Sequence, residues 1–209
     1  MKGLLLKDWY MITGYCRSYF LIAAVFAVCS AFNDENAFLM FYPCILFGMI
    51  PVTLLSYDER SGWTHYSAAM PFTKKQIVTS KYLIGLIMQT VAILLVSAIQ
   101  GIKNGIAGNF TVGGFFSTMI LMLITAFLSV SLTLPLVFKF GVEKGRIAYY
   151  IVIGVLCFAS GIFMGINSVV GTMDRGTSKI LLPAGLLIAT GLYVLSWHLS
   201  VKFYEKREL

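Results

Sequence analysis

Five uncharged apolar runs, at residues 37–57, 82–102, 115–138, 147–167 and 180–201, set most of what this chain can fold into. Each is about the 20 residues that a bilayer's hydrocarbon core demands of a helix. Lipid offers nothing to hydrogen-bond a peptide group, so runs of this kind cross as helices that satisfy their own backbone. With only 12% charged residues and a mean hydropathy of +0.84, the chain lacks the roughly 25% charge of a soluble domain. The expectation is an all-α integral membrane protein forming one transmembrane domain over residues 1–209.

A sixth span, residues 16–33, is weaker. Its apolar part, Tyr19 to Phe32, is short and must borrow Gly14 to Ser18, with Arg17 snorkelling to the interface. Before it, residues 1–15 place Leu5, Trp9 and Ile12 on one helical face with Lys7 and Asp8 beside them, the pattern of a helix lying in the membrane interface. A charged start followed by an apolar run also resembles a signal peptide. The charged region is too long and aromatic for that, and cleavage near Ala31 would leave a chain starting just before another span.

Orientation follows from Lys and Arg. With the amino terminus inside, thirteen of the sixteen fall on the cytoplasmic side, leaving Lys103, Arg175 and Lys179 outside. Both termini are therefore expected in the cytoplasm. The net charge of +7 is read as this topological bias, with no nucleic acid as partner.

The longest polar interruption, residues 58–81, falls on the cytoplasmic side between spans two and three. Asp58, Glu59 and Arg60 end span two. Trp63, Tyr66 and Met70, spaced by three and four, share one side of a short helix. Pro71 stops that helix. Thr73 and Gln76 form a capping box, with Phe72 and Ile77 placed as its hydrophobic staple, so a new helix starts near Lys74 and runs directly into span three. Pro183 opens span six from its first turn.

The chemistry that is missing narrows the function. The central part of every span lacks Asp, Glu, Lys and Arg, residues that mark ion and proton paths. No GxxxxGK[ST] motif occurs, so an uphill transporter of this sequence would draw its energy from another subunit. His198, near the end of span six, lacks a GxSxG-like nucleophile context, and His65 stands beside Trp63 and Tyr66 as a contact residue. The four cysteines show no CxxC spacing and read as small packing residues. Gly161 and Gly165 form a GxxxG pair suited to close helix approach, within one subunit or between two. Gln89 and Asn167 are polar groups in or near spans, suited to interhelical hydrogen bonds or a cargo path.

The opening KGLLLKDWY and the stretch YDERSGWTHYSAAMPFTKKQIVTSKY resemble the membrane subunit of a type-two ABC exporter, in particular the compact bacterial permeases that export peptides and toxins. Glu59, Gly62, Pro71 and Lys81 match that family's pattern around its coupling helix. The resemblance implies a bacterial cytoplasmic-membrane protein with no cofactor of its own. It further implies a separate cytoplasmic ABC ATPase that binds ATP and Mg, and a second permease subunit, identical or not, in the same bilayer. Glu59, Arg60, Gly62, Trp63, His65, Tyr66 and Met70 would then engage the ATPase, and spans one and five would form the subunit seam. An amphipathic or hydrophobic cargo suits the uncharged lining. A non-energised assembly factor or pore, and a membrane enzyme acting on lipid, are the alternatives.

Overall fold

A computed structural model describes residues 2–32, 37–70, 72–106, 108, 111–145, 147, 149–151, 153–154 and 175–206. Eight helices are described: α1 (Lys2–Tyr15), α2 (Arg17–Phe32), α3 (Ala37–Gly48), α4 (Ile50–Arg60), α5 (Trp63–Ala68), α6 (Lys74–Ile106), α7 (Val112–Phe140) and α8 (Arg175–Glu205). Among the described residues four spans are long and apolar enough to cross a membrane: Leu39–Arg60, Lys74–Ile106, Val112–Phe140 and Leu182–Glu205. α1 and α2 together pass the same test, but they meet at an elbow of 67°. The expected fifth span lies mostly outside the described residues, as do Gly161, Gly165 and Asn167.

Among the described helices α6 runs against α7 and α8, whose carboxyl-terminal ends lie side by side. At one end of the bundle the Lys74 ammonium donates to the Glu205 carbonyl, and the Phe138 and Tyr204 rings meet edge to face. Lys2, Lys7, Arg60, Lys74, Lys75, Lys139 and Lys202 belong to this basic end. At the other end Gln100 donates to Ser30. Two buried clusters fill the interior. One, around Phe47, Ile50, Met88 and Met122, joins the α1–α2 elbow, α3, α6 and α7. The other, around Val52, Val78, Leu134 and Tyr204, joins α4, α6, α7 and α8 at the basic end.

Polar side chains stitch the helices where apolar packing alone discriminates poorly between registers. The Tyr82 hydroxyl lies 2.6 Å from Ser196 Oγ and 2.7 Å from Ser200 Oγ. The Ser196 hydroxyl donates to the Ser131 carbonyl, and Trp197 Nε1 donates to Thr79 Oγ1. Deeper in the bundle, Gly48 lets α3 approach α6 and α7. A Cβ there would stand 2.8 Å from Ser129 Oγ and 3.2 Å from Gln89 Nε2.

The face of α1 buried in the bundle is Leu4, Asp8 and Ile12, with Leu5 half-buried and Trp9 exposed. Positions four apart share a helix face, and the Asp8 carboxylate turns that face inward because a cation waits there. Span two does not stop at its first charge: α4 continues through Asp58 and Glu59 to Arg60. Pro183 lies inside α8, which begins at Arg175, and not in a first turn.

Candidate functional site

The α4–α6 connection folds back at the basic end. Its first turn needs Gly62, whose φ of +68° precedes α5, a conformation that a Cβ disfavours. At the far side the capping box is formed. Gln76 N–H donates to Thr73 Oγ1, and Thr73 N–H donates to Gln76 Oε1, both at 3.3 Å. α6 therefore begins with two of its orphan donors satisfied, and one rigid rod of 33 residues carries the loop's end through the bundle.

Under this loop lies a cluster that sequence reading did not find. Lys81 Nζ sits 2.7 Å from Asp8 Oδ1 and 2.7 Å from Asp58 Oδ2. Lys7 Nζ bonds Asp58 Oδ1 at 2.5 Å and stands 3.4 Å from Asp8 Oδ1. Exposure is 1% for Asp8, 3% for Asp58 and 2% for Lys81, so three formal charges are almost fully out of water. Two lysines against two aspartates leave the group neutral, which is how buried charge is tolerated. One acceptor, Asp8 Oδ2, is buried with no partner among the described residues. Asp58 and Lys81 are the roots of the α4–α5–α6 loop, and the amino-terminal helix is tied to them by Asp8 on Lys81 and Lys7 on Asp58.

The Trp63 ring extends the cluster into α5. Lys7 Nζ lies 4.3 Å from its centroid, a favourable cation–π distance. The indole is half-buried against the basic-end core. Of the residues expected to engage a partner, Trp63 thus faces its own chain. Tyr66 is 61% exposed, with its ring 5.7 Å from Trp63. Met70 is half-exposed in the turn beyond α5. Glu59 accepts a hydrogen bond from Val142 N–H at 3.4 Å, joining the end of α4 to the turn after α7. Arg60 opens onto a side groove. The His65 side chain and Pro71 lie outside the described residues.

Gln89 is buried, donating to Ser129 Oγ at 3.2 Å. Its Oε1 has no partner among the described residues, and the residue lines an apolar cavity of about 30 Å³. It therefore sits between helices of its own chain. His198 is exposed, its ring against Trp197. Among the described residues no group of His, Cys, Asp or Glu is placed to hold a metal.

The signal that pointed to the ion cluster was present but local. Asp8 falls on the same face as Leu4 and Ile12, which is unfavourable unless a cation meets it. Which cation does so depends on a contact spanning 73 positions.

Compared with known proteins, residues 3–205 match the family described as ABC-2 family transporter protein. No curated protein matches the chain, and no solved structure does.

Proposed function

The chain belongs to the ABC-2 family of transporter proteins, and on that premise we propose that it is the export permease of a two-component pump, coupled to a separate ATPase through the α4–α6 loop. The family supports the broader statement, a multi-pass transmembrane subunit of an ABC transporter. The observation that carries the coupling role is the fixing of the loop's roots. Lys81 is bound to both Asp58 and Asp8, so a push on the loop moves α1, α4 and α6 together and does not dissipate in slack. A coupling element has to bias two arrangements of the spans, and a stiff lever does this where a flexible one does not.

In this reading Tyr66 and Met70 supply the contact with the ATPase, as exposed aromatic and Met side chains do at interface centres. Trp63 and Lys7 hand the displacement inward. ATP and Mg bind the partner, and the basic end faces the cytoplasm in keeping with its lysines. Two permease subunits, identical or different, enclose the path in a bacterial cytoplasmic membrane. The uncharged middles of the spans favour an amphipathic or apolar cargo such as a peptide.

Mild-detergent purification tests the first half, since the chain is expected to bring an ATP-binding protein with it. Tyr66→Ala is expected to weaken that association. Trp63→Ala is expected to preserve it while abolishing cargo-stimulated ATP hydrolysis. Full stimulation in Trp63→Ala would remove the coupling role, and purification without any ATPase would favour the assembly-factor reading.

A further inference from the structure

Beside the α1–α2 elbow lies a polar groove of about 370 Å³. It is walled by Tyr15, Ser18 and Tyr19 on one side and Thr53, Tyr57 and Arg60 on the other. We propose that this groove binds the phosphate head of an anionic phospholipid.

Three observations carry the assignment. First, Arg60 is exposed at the end of α4 and forms neither an ion pair nor a hydrogen bond among the described residues. The other cation near the elbow, Arg17, is already turned to the Thr13 carbonyl at 2.7 Å. A guanidinium is a forked donor matched to phosphate oxygens. Second, the walls are built. The Tyr15 and Tyr57 rings stack with centroids 4.5 Å apart, and Tyr19 and Thr53 share a hydrogen bond of 3.1 Å across the groove. Tyrosines and hydroxyls beside a span's end are the chemistry of head-group depth. Third, an apolar track leaves the groove. Ser18, Leu21, Val25 and Phe32 are exposed on one side of α2. From Ser18 to Phe32 the helix rises about 21 Å at 1.5 Å per residue, enough to follow an acyl chain through its leaflet of roughly 15 Å. Cation, hydroxyls and apolar track lie in the order in which a phospholipid presents phosphate, glycerol and tail. A soluble phosphate would use only the first.

The test is native mass spectrometry of the full chain in mild detergent, titrated with phosphatidylglycerol or phosphatidylcholine. One phosphatidylglycerol is expected to persist per chain, with phosphatidylcholine lost first. Arg60→Gln is expected to weaken that binding about tenfold, the worth of one charge-assisted bond, and Arg60→Lys to retain most of it. Thr53→Val, on the opposite wall, is expected to weaken binding separately, and an unchanged elution profile confirms that each variant is folded. The proposal is overturned by equal retention of the two lipids, by undiminished binding in Arg60→Gln, or by displacement with inorganic phosphate at millimolar concentration. It is equally overturned if a peptide with a free carboxyl terminus, but not its amide, binds Arg60 while phosphatidylglycerol does not, since the groove would then be a cargo subsite.

Discussion

Replacing Lys81 with methionine tests whether the loop is anchored by charge. The ammonium is 2% exposed and lies 2.7 Å from each of two carboxylates. Methionine fills a similar volume, so packing is nearly conserved and the loss is electrostatic. Asp8 and Asp58 then remain in an apolar base with only Lys7 to neutralise both, and Lys7 is 24% exposed. Stranding a buried charge by deleting its partner costs about 3–5 kcal/mol. For a chain of this length each kcal/mol moves the melting temperature by about 2–4 °C, which places Lys81→Met roughly 10 °C below the parent. The assay is thermal unfolding in mild detergent, paired with ATP hydrolysis in the assembled transporter. The informative comparison is the triple variant Asp8→Asn, Asp58→Asn, Lys81→Met, in which the stranded charges are gone. It is expected to recover much of the melting temperature, because a neutral replacement of a buried ion group often costs little. Its coupled ATP hydrolysis is expected to stay low, because the directional tie between α1, α4 and α6 is lost. A Lys81→Met protein melting within a degree of the parent would refute the reasoning, as would a triple variant no more stable than the single one.

Three further perturbations bear on the scaffold and the loop. Gly48→Ala is expected to destabilise by about 1–3 kcal/mol through overpacking, since its Cβ would meet Ser129 Oγ at 2.8 Å. Gly14→Ala, with open space around it, is expected to be neutral or slightly stabilising, and melting curves of the two separate close approach from glycine content. Gly62→Ala meets no neighbour within 4 Å but keeps φ at +68°. The cost is then backbone strain of about 1–2 kcal/mol, read as a small fall in melting temperature with a larger fall in coupled ATP hydrolysis. Tyr82→Phe strips the hydroxyl shared by Ser196 and Ser200. A loss of about 1–3 kcal/mol is expected, measured by the same melting curves and reduced when Ser200→Ala is added.

Four of the expected spans and the loop's capping box were legible in the sequence because both are written in short-range pattern. Apolar runs of bilayer length leave a chain few alternatives to crossing as helices. The Thr73–Gln76 pair is three residues apart, and the hydrogen bonds it predicts are the ones formed. The family was also legible, since the residues matching its loop pattern occur in order along the chain. What tertiary structure decided was the company each charge keeps. Lys81 reads locally as the basic start of a span and Asp58 as the end of one, yet three helices meeting at the basic end place Lys81 between Asp58 and Asp8. Trp63 has the spacing of an exposed anchor, but Lys7 from another helix covers its ring. A helix's own periodicity fixes which residues share a face. Only the arrival of neighbouring helices determines whether that face meets lipid, water or an opposite charge.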